Sequence, residues 1–463
     1  MYLSLSDWRE RRQVRTDAPG TPFRLSPVVV SLGIVSLLTD ISSESVAAVL
    51  PLYITGALGL SMVAYGFLEG LHQGLSAVVR IAAGYAADRT DRPKPVAFLG
   101  YGLSMLARVG LVFAQGFGAI SVAVGADRIG KGIRTAPRDA MVQHASQPEH
   151  LARSFGVHRM LDTIGATVGP LLAFLILFLV PDGYRAVFIA SIAFAVVGLA
   201  VLGLLVPNVR LSARPAAGST DTAGADDAAA PETAGPPGEA VPGQLPLRPG
   251  FRTLLTAPMR RLLAVAGLLG LLTVGDGFVY LALMEHGHLD PLWFPLLFVG
   301  TNAVFLLLAV PLGRAADRTS RAAVFVLGHL ALAAAYACAA AGGTLAAILG
   351  CLVLLGVFYA ATDGVLAALA GERSPRGAQS TGISAAQTVV AVARLAASTA
   401  FGVLWVLFGA VPTMVGAAVV LALAVPVALW LVAGPGRPAP TGTASRPEDG
   451  EPAGADAPSG AAR

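Results

Sequence analysis

The sequence predicts an all-α integral membrane protein: twelve transmembrane helices in two pseudo-symmetric six-helix bundles. Three observations carry that expectation. Of the 463 residues, 55% are hydrophobic and only 13% are charged, about half the roughly 25% charge usual in soluble domains. Long apolar segments recur along the chain, each near the about 20 residues that a membrane crossing needs. Positive charge falls in alternate loops, as the positive-inside rule requires of a multi-pass protein. The net charge of +4 is small and the basic residues sit at segment ends, not in one patch. The lipid bilayer is therefore an expected partner and nucleic acid is not.

Taken in order, residues 1–26 form a charged leader, beginning MYLSLSDWRERRQVR, ahead of a span too long for a signal-peptide core. Six spans come next, near 27–56, 62–87, 96–116, 119–143, 154–180 and 185–206, forming an N-terminal bundle over 27–206. Residues 207–258 centre on a Pro, Ala, Gly, Thr and acidic run that buries too little apolar surface to offset its ordering entropy, and are expected to be a disordered linker. Six more spans, near 259–285, 291–315, 323–342, 345–370, 379–409 and 413–433, form a C-terminal bundle over 259–433. The tail, 434–463, has the linker's composition. Arginines such as Arg9, Arg92, Arg153, Arg252, Arg321 and Arg376 share one side, while the opposite loops, for example QGFG at 115–118, are short and nearly free of positive charge. Both termini are thus expected in the cytoplasm. Ala, Gly and Arg abound and lysine occurs only at Lys94 and Lys131, a composition of GC-rich bacterial genomes, so the expected location is a bacterial inner membrane. Cys338 and Cys351 offer neither a disulfide framework nor metal-ligand spacing.

The two halves repeat. After the second span come Gly84, Asp88, Arg89 and Arg92, and after the eighth come Gly313, Asp317, Arg318 and Arg321 at the same spacing. An internal repeat in a membrane chain marks a two-bundle transporter with a midplane site between the halves. These residues resemble the major facilitator superfamily over about 27–433. The loop after the second helix matches at Gly84, Asp88, Arg89, Arg92 and Lys94, with Asp91 in place of a glycine and Pro93 inserted. The fourth-helix signature matches at Arg128 and Gly132, with Lys131 where glutamine is usual. An antiporter-associated signature of the fifth helix matches at Gly156, Gly165, Gly169 and Pro170, with Ala173 and Phe174 replacing its closing glycines. The resemblance implies transport by alternating access, with Asp88 and Asp317 as latches that close the cytoplasmic side; capped helix ends and loop charges give the plainer account of the same residues.

Ionisable residues at membrane depth cost several kcal/mol unless paired or wet, and so mark pathways. Asp40 and Glu44 are four apart on one face of the first helix, and Glu69 and His72 three apart on the second. Each pair is read as a proton-coupling candidate, with a permanent salt bridge from Asp40 or Glu44 to an arginine of the fourth helix as the alternative for the first pair. On the fourth helix Asp127, Arg128, Lys131, Arg134 and Arg138 fall within a sector of roughly 120°. The stripe is expected to face the first helix, where Arg128 and Lys131 would either tune Asp40 and Glu44 or grip an anionic substrate. Arg134 and Arg138 are placed near the cytoplasmic end, free to snorkel. Arg159 and Asp162 form a local pair on the fifth helix. Asp276 is the one acid deep in the seventh, with Asn302, Gln387 and Arg394 as further polar groups of the second bundle.

The expected function is secondary transport of a small molecule, coupled to protons and directed outward, by a chain acting as a monomer. The alternative is an importer or exchanger of an anionic metabolite held by the helix-four bases, and a transport-inactive sensor ranks behind both. No nucleophile elbow, phosphate-cradling loop or zinc signature is present in the sequence, so neither an enzyme nor a cofactor or metal is expected. Glu285, His286, His288 and Asp290 have the residue types of a metal site but sit in a short external loop.

Overall fold

A computed structural model describes residues 26–90, 92–147, 150–208, 256–375 and 379–433, with side chains 81–90, 152, 379 and 380 outside that set. The N-terminal leader, the linker and the tail lie almost entirely outside the described residues. Every regular element among the described residues is helical. The helices are α1 (Pro27–Leu52, continued by a π turn at Tyr53–Ala57), α2 (Met62–Thr90), α3 (Pro93–Phe113), α4 (Gly116–His144), α5 (Leu151–Leu179), α6 (Tyr184–Leu205), α7 (Ala257–Leu271), α8 (Asp276–Gly287), α9 (Phe294–Arg318), α10 (Arg321–Ala341), α11 (Leu345–Arg373), α12 (Gln379–Phe408) and α13 (Ala410–Ala433).

Local chemistry sets many of the starts. Proline occupies the first turn of α1, α3, α7 and α9, where its missing N–H costs nothing. Thr256, Ser320 and Thr344 cap α7, α10 and α11 by accepting from Met259, Ala323 and Ala347 N–H. Large apolar side chains face outward around the molecule, Phe113 at 77% and Leu204 at 84% exposure among them. A water-soluble protein hides such a surface; lipid tails cover it here.

The thirteen described helices make twelve crossings, because α7 and α8 are the halves of one span. The sequence predicts a single helix there, but the backbone leaves helical geometry between Leu271 and Asp276. Gly275 lies hard against the Glu69 carboxyl of α2, where a Cβ has no room, and Asp276 opens α8 with its negative charge at the helix N-terminus. Ten helical segments are long and apolar enough to qualify as spans by composition alone. The two others are α2 and α4, whose charged residues lower their apolarity.

In the first half α1 packs on α5 and α6, and α4 on α2 and α3; in the second α11 packs on α9 and α10, and α10 on α13. The main contacts between the halves are α2 with α12 and α5 with α9, with smaller ones from α1 to α8 and α9. Gly66, Gly70 and Gly74 of α2 lie directly on the backbone of Ser398, Leu395 and Ala391 of α12. Three small residues at four-residue spacing let the two backbones touch. From Ala77 onward the helices part and line a cavity instead. Beyond the seam, aromatic contacts close the far face: Tyr65 with Phe278 at 4.8 Å, Phe278 with Phe401 at 5.0 Å, and Phe174 with Trp293 at 5.7 Å.

Candidate functional site

Between the halves lies a cavity of about 600 Å³, open toward the ends of α2 and α4 and the starts of α10 and α12. A deeper chamber of about 290 Å³ adjoins it, sharing Gln73, Tyr359 and Asp363 as walls. One wall of the cavity is charged and comes from α1, α2, α4 and α5; the other comes from α7, α10, α11 and α12 and is mainly aromatic and hydroxylic.

The charged wall is a set of ion pairs. Arg134 places Nη2 3.8 Å from Asp40 Oδ1, and its guanidinium lies 4.5 Å from the Tyr101 ring centre. Lys131 Nζ is 3.7 Å from Glu44 Oε1. Arg138 reaches Asp139 at 3.0 Å and Asp162 at 3.7 Å, and donates to Ser36 Oγ at 2.9 Å. Ser36 in turn donates to Asp162 Oδ1 at 2.8 Å. Arg159 and Asp162 pair locally at 3.4 Å, as their spacing predicts. The Ser36–Asp162 bond holds α5 against α1 one turn before Asp40, and both carboxyls, Asp40 and Asp162, line the cavity wall. That contact depends on the close approach of α5, since Gly165 sits on the Leu37 backbone and Gly169 on that of Ile41 and Ser45. Gly156 makes no such approach, and Pro170 lies within the unbroken span of α5.

Asp40 lines the large cavity together with Asp162, whereas Glu44 lines the deeper chamber. Periodicity puts Asp40 and Glu44 on one face of α1, but α4 divides them, with Arg134 meeting the first and Lys131 the second. Arg128 is a second correction. It lines neither the large cavity nor the deeper chamber; instead it binds Asp127 through Nε at 3.0 Å and through Nη2, while Arg108 of α3 reaches the same carboxylate at 3.1 Å. Both arginines are about 5% exposed at most. The cause is the tight α3–α4 packing, in which Ser104 bonds to the Asp127 carbonyl at 3.0 Å and turns that edge of the stripe away from water. Arg134 and Arg138, expected to snorkel, are instead buried.

In the inner chamber Glu69 accepts from Gln73 Nε2 at 3.0 Å and from Tyr65 OH at 3.5 Å. His72 shares the chamber wall, yet the hydrogen bonds of Glu69 go one turn either way along α2 and not to it. Asp276 accepts from Tyr359 OH at 2.7 Å. Arg394 of α12 lines the large cavity with its Nε buried and unpartnered. Tyr65, His329 and Tyr359 are wall residues that sequence reasoning missed, because an aromatic in an apolar span carries no charge signal.

The repeated loop is only partly described: the side chains of Gly84, Asp88 and Arg89 lie outside the described set. Arg92 is exposed at the head of α3. Lys94 donates to the Gly203 and Val206 carbonyls at 2.9 and 2.5 Å and so closes the end of α6. In the second copy Gly313 borders open space, Arg318 is exposed, and Asp317 binds Arg321 at 2.7 Å, which also reaches Glu372 at 3.4 Å. In the last turn of α8 His286 Nδ1 donates to the Ala282 carbonyl at 3.0 Å, and beyond the helix Asp290 accepts from the Leu292 N–H at 2.9 Å.

Residues 32–301 match the family model of the Major Facilitator Superfamily. The chain belongs to that superfamily. An uncharacterized MFS-type transporter of Methanocaldococcus jannaschii is 25% identical over 390 residues, covering 82% of this chain and 89% of its own. The bacterial homologue of the human lysosomal transporter Spinster, in an inward-facing and unoccupied conformation, superposes with a TM-score of 0.67 at 15% identity, over 89% of this chain and 98% of its own. A POT family transporter in complex with 5-aminolevulinic acid superposes with a TM-score of 0.70 at 12% identity, over 87% and 96%. At such identities the structural likeness shows the fold. The protein is a multi-pass secondary transporter of the superfamily.

Proposed function

We propose that this transporter exports a small molecule in exchange for protons, acting as a monomer in the bacterial inner membrane. The positive-inside rule supports placing the basic loops and both termini in the cytoplasm, so that the cavity faces inward. The observation that carries the coupling is the placement of the Asp40 and Asp162 carboxyls on one cavity wall, with Asp162 bound to Ser36 one turn before Asp40. Two carboxylates sharing one site repel when both are charged, which favours a proton held by the pair. Arg134 and Arg138 flank it and compensate the remaining charge. Moving α1 against α5 separates the carboxyls and changes their hold on that proton, which ties protonation to the conformational cycle. The outward direction is supported by the antiporter-like glycines, two of which bring α5 onto α1.

In proteoliposomes, substrate accumulation is expected to need an imposed pH gradient. Asp40→Asn and Asp162→Asn should each abolish accumulation against a gradient while substrate exchange at equal pH continues. Equal accumulation with and without the gradient would overturn the coupling.

The anion-transport alternative does not rest on the α4 stripe, whose bases are engaged in ion pairs with neighbouring acids. Its support comes from the opposite wall.

A further inference from the structure

We propose that the substrate is a small organic anion, whose carboxylate or phosphate group is held by Arg394 and whose apolar body lies on the aromatic wall beside it. The inference rests on the transporter reading and names the substrate class of the same cavity. Six bases (Arg80, Lys131, Arg134, Arg138, Arg159 and Arg394) line the cavity against four acids (Asp40, Asp139, Asp162 and Asp363). The ion pairs already described tie Arg134, Arg138 and Arg159 to three of those acids, and Lys131 to Glu44. Arg80 and Arg394 are left over against Asp363, while Glu69 and Asp276 of the adjoining chamber accept from Tyr65, Gln73 and Tyr359.

Arg394 is the more telling of the two. Arg80 lies toward the open mouth and is exposed; Arg394 sits midway along α12, beside Leu395 where the bundles touch. It has no ion pair among the described residues, and its Nε is buried without an acceptor. A guanidinium at that depth costs several kcal/mol unless a counter-charge meets it. Of the two acids of the same half that line these chambers, Asp276 has its carboxylate turned to the Tyr359 hydroxyl and Asp363 is exposed. An anionic ligand supplies both the charge and the acceptors, and a planar guanidinium fits a carboxylate or phosphate through paired N–H bonds.

The body of the ligand is set by the rest of the wall. Half-buried Tyr359 is the ring that meets the cavity; Phe325, His329 and Phe358 are buried and stack behind it, with ring centres 5.2, 5.2 and 5.1 Å apart along the row. His329 Nδ1 donates to the Phe325 carbonyl at 3.0 Å, which fixes its ring within that stack. About 600 Å³ is within the range of small-molecule sites.

The test uses the purified full chain at one pH and three sets of probes matched in size: benzoate, cinnamate and indole-3-acetate; their neutral amides; and benzylamine and tryptamine as cations. The acids should raise the thermal unfolding midpoint more than the amides, and the amines least. Arg394→Gln should weaken acid binding by about ten-fold or more, the usual worth of a charged hydrogen-bonded contact, with Arg394→Lys keeping part of it. A second readout needs no variant: acids, and not amides, should protect Arg394 of the wild type from phenylglyoxal, scored by peptide mass. Amides binding as well as acids, amines binding best, an acid preference that survives Arg394→Gln, or no protection of Arg394 would each overturn the proposal. Binding at fixed pH needs no gradient. Acid selectivity without proton coupling therefore sinks only the coupling, and coupled transport of a cation sinks only this assignment.

Discussion

Asp127 and Lys131 lie one turn apart on α4, yet their charges have opposite weight. Asp127 faces two arginines that are nearly inaccessible to water. Removing its charge leaves both cations buried and unpaired, which costs about 3–5 kcal/mol for one such partner. Lys131 and Glu44 are about a third exposed, and a pair in that setting contributes about 0–1 kcal/mol. Asp127→Asn is therefore expected to lower the unfolding midpoint in detergent by many degrees, and Lys131→Gln to shift it barely. Equal shifts would mean that the Asp127 cluster is wet. The stripe itself was legible in the sequence, since one helical face carries it. Its internal division was not: a helical wheel ranks residues by angle, and only the packing of α3 decides which side of that face is dry. The same limit applies to Asp40: Asp162, on the same cavity wall, has no fixed sequence spacing from it.

At the scale of elements, the seam between α2 and α12 decides which side of the molecule is shut. Its spacing, Gly66-x-x-x-Gly70-x-x-x-Gly74, is a small-residue motif open to view in the sequence, although the charges near it are the louder signal. A Cβ on Gly70 would overlap the Leu395 backbone, which has no rotamer through which to yield. Gly70→Val is thus expected to pry α2 from α12 and to favour opening of the far face. The measurement is thiol labelling at Asn302→Cys, a wall position of the inner chamber, in a background with Cys338 and Cys351 replaced. Impermeant reagent applied from the face opposite the cavity should label the glycine protein slowly and the valine protein faster. Unchanged labelling would show that this seam does not hold that face closed. The broken seventh span was harder to read. Gly275 and Gly277 announce a weak helix, but the backbone freed at the break is met by Tyr336 of α10, whose hydroxyl accepts from the Val274 N–H at 2.9 Å, and no local pattern contains that partner.

For the whole molecule, the duplicated loop and the alternating charge were enough to give two bundles and an axis between them; the conformation adopted was not written there. The cavity opens on the basic face while aromatic contacts close the other, and both arrangements depend on how two similar bundles lean. Phe174 of α5 and Trp293 at the start of α9 touch across the closed face, where α5 meets α9. If alternating access is a rocking of the bundles, this contact must break in each cycle. Cysteines at 174 and 293 in the cysteine-free background, joined by a short bifunctional thiol reagent, should stop substrate exchange across the membrane. Binding from the cavity side should persist, because the cavity walls at Asp40, Tyr359 and Arg394 lie away from the link. A cleavable linker should restore exchange on reduction, which separates a locked gate from a damaged protein. Exchange that continues in the linked protein would mean that the far face opens elsewhere, with α5 and α9 as part of the static frame.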